Sequence, residues 1–231
     1  MHPDARYTPD SRLAARTRVV LRPLGSPLPL GLLALAPAGL LLSALQVGAF
    51  SQSETTTVAL LVLAFAAPLD AIAAVLCFLA RDTLGGSGLG VFAGAWLASG
   101  LVLLTSPPNT TSPAFGTFLL AVSCAMLVLV AAAAGNKLGP AIVIVAGAGR
   151  FLLSGLYELI GSRELEHASA IVGFALVACA VYTALATEIE DVHGRSILPI
   201  GRRARAVSAL HGSFAAQLDR LENEAGVRQQ L

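Results

Sequence analysis

The chain has 231 residues, of which 55% are hydrophobic and only 13% charged, with a formal net charge of +1. Soluble domains carry roughly 25% charged residues, so this composition and a mean hydropathy of +0.75 exclude an ordinary soluble domain and point to an integral membrane protein. The balanced charge offers nucleic acid no basic surface, and Cys77, Cys124 and Cys179 stand too far apart for a metal site or a disulfide framework.

A bilayer core of about 30 Å takes about 20 residues of helix. Six stretches qualify: 30–50, 57–80, 84–105, 115–134, 139–160 and 168–187. A β-barrel would show short segments of alternating polarity, whereas these runs are continuous and rich in Leu, Ala, Val and Gly. The expected fold is an all-α membrane protein with six transmembrane helices and a C-terminal amphipathic helix.

In chain order, residues 1–25 are Arg-rich, contain proline and lack periodicity, as in a flexible cytosolic arm drawn to anionic headgroups. The first span follows some 25 residues with several arginines and no small-residue cleavage site follows its core, so it reads as a retained helix rather than a signal peptide. It opens with "SPLPLGL", Ser26 to Leu32; prolines are tolerated in a first helical turn, whose N–H groups have no intrahelical partner, and Ser26 is a candidate cap. Pro37 lies further inside.

The second span holds Pro68, expected to kink it two residues from Asp70. The third begins with "GGSGLG", which lacks the preceding strand and following Lys and Ser or Thr of a phosphate loop. Gly86, Gly90 and Gly94 instead repeat every four residues, a helix-packing face for a neighbour in this chain or in another subunit.

The fifth span carries Arg150 at its centre and Glu158 two turns on, and the sixth is followed by "GRSILPIG", residues 194–201. In the tail, 202–231, Val207, Leu210, Phe214, Leu218 and Leu221 recur at spacings of three and four, an amphipathic helix suited to the inner membrane surface or to the same helix of a neighbouring subunit.

Basic residues orient the spans. With the N-terminus inside, inner segments hold 13 of the 15 Lys and Arg residues, and the outer loops hold Arg163 alone. This asymmetry predicts N-in, C-in topology with both termini cytoplasmic.

The fifteenth basic residue is Arg150. A charge at mid-bilayer costs roughly 2.5 to 3.5 kcal/mol and faces a bundle interior, a partner or water. Asp70, at similar depth in the second span, is the expected partner. The pair reads as a salt bridge locking two helices or as a substrate-linked group in which the guanidinium fork also binds a carboxylate through two parallel bonds; a third reading gives Arg150 a different partner.

The two end motifs together resemble the Asn-Pro-Ala-Pro-Leu-Gly-Leu opening and the Gly-Arg-Thr-Val-Leu-Pro-Ile-Gly ending of the acetate uptake transporter family, which includes bacterial acetate and succinate permeases and fungal relatives. The resemblance covers about residues 26–201, leaving 1–25 as an arm and 202–231 as a tail. It implies a six-helix protomer in the plasma or inner membrane, assembled as a hexamer, each protomer with a narrow pathway for acetate-like monocarboxylates, with succinate as a further candidate and protons as the coupling ion.

Residue by residue, Pro27, Pro29, Leu30 and Gly31 match the opening and Ser26 replaces its asparagine. Leu35 stands where the resemblance places a phenylalanine, Phe65 where it places a tyrosine, Gly147 near an expected leucine and Asp70 at a glutamine. These smaller or hydroxyl-free side chains are expected to widen the apolar gate. His167 aligns with a histidine at the outer start of the sixth helix and is a candidate proton-linked group.

The expected partners are a small carboxylate, protons, lipid and further copies of the chain. Three functions stand open at this stage: a transporter or channel for acetate-like anions, with ammonium-linked export as a variant, a membrane enzyme, and a non-transporting scaffold or sensor. Four scattered histidines and charge-poor outer loops such as "SPPNTTSPA" argue against an enzyme, and no cofactor or metal is expected.

Overall fold

Each predicted span folds as one helix in a computed structural model, which describes residues 25–107, 110–133, 138–193 and 196–201. The helices are α1 (Leu28–Gln46), α2 (Thr55–Leu79), α3 (Thr83–Thr105), α4 (Pro113–Ala133), α5 (Leu138–Ile160) and α6 (Arg163–His193). All six are long and apolar enough to cross a membrane, and the described residues contain no strand. The basic arm and the predicted amphipathic tail helix lie outside the described residues.

Most ends fall within two residues of the sequence reading. The largest difference is α6, which runs beyond 168–187 at both ends because its terminal turns, "RELEH" and "EIEDVH", are polar, so helix formation there leaves no trace in hydropathy. α1 stops early, at Gln46, where Gly48 takes φ 74° and the Ala49 N–H reaches back to the Ala44 carbonyl at 2.9 Å. Ser26 does not cap α1: Pro27 occupies the cap position and no side chain accepts a hydrogen bond there.

Pro68 acts one turn before itself. Its ring excludes the carbonyl four residues back and it has no N–H to donate, and α2 accommodates this with a wide π-type turn at Val62–Ala66, in which the Ala67 N–H bonds the Val62 carbonyl five residues earlier. Regular helix resumes at Ala67.

The helices form a closed ring. Each packs on its neighbour in the chain, from α1 on α2 through to α5 on α6, and α6 closes on α1. Small residues bring the axes together: a side-chain carbon on Gly116 would lie 2.9 Å from the Gly155 carbonyl oxygen, and one on Gly86 would lie 2.9 Å from the Phe78 ring. The expected glycine face therefore packs within this chain, Gly86 and Gly90 against Phe78 and Ala74 of α2, while Gly94 meets nothing within 4 Å.

The proline-containing end motif has a structural task. The Leu138 and Gly139 N–H groups, orphan donors in the first turn of α5, donate to the carbonyls of Gly201 (3.2 Å) and Ile200 (3.0 Å), and the Tyr182 hydroxyl donates to the Pro199 carbonyl at 3.1 Å. This clip sets residues 196–201 against the start of α5. The start of α1 and the α2–α3 turn border the same cavity as that turn of α5, which defines a terminal end of the ring; the α1–α2 and α5–α6 connections mark the far end.

Candidate functional site

Two cavities enter the ring from opposite ends. The terminal cavity, about 310 Å³, is lined by Leu28, Leu35, Arg81, Asp82, Phe92 and Ile144 among others. The far cavity, about 160 Å³, is lined by Gln46, Trp96, Arg150, Phe151, Ser154 and Glu158 among others.

Between them lies an aromatic layer. Phe92, Trp96 and Phe151 are fully buried and mutually packed, with ring centroids 5.6 to 5.8 Å apart, and Leu35 is buried beside them on the terminal side. Phe92 faces the terminal cavity, Phe151 and Trp96 the far one. The i, i+4 spacing of Phe92 and Trp96 puts both on one face of α3, and this face turns inward.

The layer revises the expected gate. Phe65 does not reach it: its side chain is 46% exposed on the outer surface of α2 and lines neither cavity. Gly147 does not widen it either. A side-chain carbon there would lie 2.5 Å from Phe92 Cζ, so the Phe92 ring occupies the space that a larger residue on α5 would take.

Arg150 is 3% exposed and borders the far cavity. Its Nη1 donates to Ser43 Oγ at 2.7 Å and to the Ser169 carbonyl at 3.4 Å, and Ser43 Oγ passes the chain on to the Gly39 carbonyl at 2.6 Å. Ser154 and Ser169 are joined through their hydroxyls at 2.6 Å beside it. The remaining guanidinium donors make no hydrogen bond among the described residues. Gly173 makes this possible, since any side chain there would fall on Arg150 Nη1 and Ser43 Oγ.

Asp70 and Arg150 do not pair. Asp70 is fully buried, and neither of its carboxyl oxygens is hydrogen-bonded among the described residues. Its polar neighbour is the Trp96 indole, whose N–H also closes no hydrogen bond. α2 and α5 are not packed neighbours in the ring, and the aromatic layer stands between them. Arg150 turns instead towards α1 and α6, where its Nη1 meets the Ser43 hydroxyl and the Ser169 carbonyl.

The remaining candidates divide. Glu158 lines the far cavity, held by the Ser112 N–H donating to Oε2 at 2.7 Å. His167 is exposed and lines neither cavity, whereas its neighbour Glu166 does line the far one. Pro29 and Gly31 are buried at the start of α1, Gly31 directly against Leu89. Leu30 is on its exposed face.

A closed ring of six helices long and apolar enough to cross a membrane, with a buried arginine beside an apolar septum and a cavity on either side of it, defines a multi-pass membrane protein. Residues 11–193 match the model of the GPR1/FUN34/yaaH family, and the chain belongs to that family. The structure of the bacterial acetate channel SatP is similar, with a TM-score of 0.69 and 22% identity, covering 77% of this chain and 99% of that one, a likeness of fold. No curated protein matches. The family resemblance read from the two end motifs therefore holds.

Proposed function

We propose that this chain conducts small monocarboxylates such as acetate across the plasma or inner membrane, through the ring of each protomer, with both termini cytoplasmic. The observation that carries this reading is the pair of cavities that meet from opposite ends at one apolar layer. An arginine lines each, Arg81 on the terminal side and Arg150 on the far side. A similar fold in a bacterial acetate channel supports the substrate class.

The chemistry follows from the arrangement. Arg150 attracts the carboxylate with the donors that none of the described residues uses, in the bidentate geometry that guanidinium favours, while the methyl group of acetate meets Trp96 and Phe151. The aromatic layer bars water and ions that have not shed their shell. Protons accompany the anion, so an inward proton gradient accelerates uptake. Assembly with further copies, a hexamer by family resemblance, keeps one pathway in each protomer.

Labelled acetate uptake into proteoliposomes, with and without an inward proton gradient, tests the proposal. Uptake that rises with the gradient and collapses in Arg150→Leu is the expected result. A wild-type protein that takes up nothing overturns it and leaves Arg150 as a residue that locks α1, α5 and α6.

A further inference from the structure

We propose that Glu158 and Glu166 form a charge filter over Arg150 that admits monoanions to the far cavity and turns away dicarboxylates. The inference rests on the monocarboxylate pathway above and narrows its substrate class. Among the described residues lining this cavity, Arg150 is the single cation, and Glu158 and Glu166 are the two carboxylates. A monocarboxylate that docks on Arg150 uses up the cation. A diacid places its second carboxylate in the same small space with no cation left to meet it.

Geometry fixes the filter in place. Glu158 follows Arg150 by eight residues on α5, about 12 Å along the helix at 1.5 Å per residue, which puts it at the mouth of the cavity that Arg150 floors. The Ser112 N–H, beside the start of α4, holds its carboxylate there. Glu166, four residues into α6, borders the same cavity from the next helix. Arg163 and His167 interact with Glu166 from the exposed side and line no part of the cavity, so they weaken its field and leave Glu158 the larger share.

Two like charges about 10 Å apart in a medium of intermediate dielectric repel enough to lower occupancy by about tenfold. The penalty falls on the second carboxylate of a diacid and not on the anion already neutralised by Arg150. Charge, not length, is the discriminating property, so butyrate, which matches succinate in carbon count, is the control.

The experiment measures labelled acetate, butyrate and succinate uptake into proteoliposomes holding the full chain, for wild type, Glu158→Asp, Glu158→Gln and the Glu158→Gln/Glu166→Gln double variant. Glutamine keeps an oxygen for the Ser112 N–H, and size-exclusion profiles confirm that each variant is folded. The filter predicts that the wild type carries acetate and butyrate but little succinate. The succinate-to-acetate ratio should rise about tenfold in the double variant, less in Glu158→Gln, and stay low in Glu158→Asp. Acetate uptake with a succinate ratio that is already high, or that stays fixed in the double variant, overturns the filter and leaves the monocarboxylate pathway standing. Absence of acetate uptake in the wild type overturns both.

Discussion

Replacing Gly147 by leucine puts on α5 the residue type that the resemblance places near this position, and the structure predicts that the change is harmful. The first added carbon would lie 2.5 Å from Phe92 Cζ and 3.0 Å from its Cε1. Phe92 is 1% exposed and packed against both Trp96 and Phe151, so its ring can give way only towards the terminal cavity and at the expense of that packing. Overpacking of this kind costs about 1 to 3 kcal/mol. Phe92→Ala alone leaves a ring-sized void and costs about 3 to 5 kcal/mol. In the Gly147→Leu/Phe92→Ala double variant, the leucine enters the space that the ring vacates, so the two losses should fall short of their sum by about 2 kcal/mol. Unfolding of the four detergent-purified proteins, followed by intrinsic fluorescence of Trp96, measures the cycle. Additivity within about 0.5 kcal/mol would show that Phe92 and Gly147 do not share one space, and the argument about the septum would fail.

Three further outcomes follow from buried polar groups. Asp70→Leu removes a buried polar group that has no hydrogen-bond partner among the described residues and should raise stability by about 1 to 2 kcal/mol; a lower thermal midpoint would mean that the carboxyl is held by a partner. Gly173→Ala drives a methyl group into Arg150 Nη1 and Ser43 Oγ, and the lost charged hydrogen bond should cost about 1.5 to 3 kcal/mol. That variant should also weaken acetate uptake, and unchanged unfolding and uptake would count against the placement of the guanidinium. Ser43→Ala takes away the 2.7 Å partner of Arg150 without adding bulk, so it should destabilise less than Gly173→Ala in the same unfolding assay.

The helices were legible because apolar length is a property of the chain alone, and the two proline motifs identified the family because their residues make local contacts: Pro27 and Pro29 start α1, and Pro199 to Gly201 clip α5. The azimuth of a side chain is different, since it depends on which helices become neighbours. Asp70 and Arg150 read as a pair from the sequence but do not meet, because nothing in either span reveals that α3 puts Trp96 beside Asp70. For the same reason Phe65 was assigned to the pathway and Phe92 overlooked. A signal was present in the single tryptophan, four residues after Phe92 on α3, and in Phe151 directly after the mid-span arginine. Glu166 escaped notice because polar helix ends resemble loops.

The proposed pathway for anions crosses the layer formed by Leu35, Phe92, Trp96 and Phe151. The most direct test is labelled acetate flux through proteoliposomes holding either Phe92→Ala or Phe65→Ala at matched protein density. Phe92→Ala should change the flux severalfold, because its ring stands between the cavities, and Phe65→Ala, on the outer surface, should leave it at the wild-type value. A flux that responds to Phe65 and ignores Phe92 would contradict the account and move the pathway to the outer face of α2.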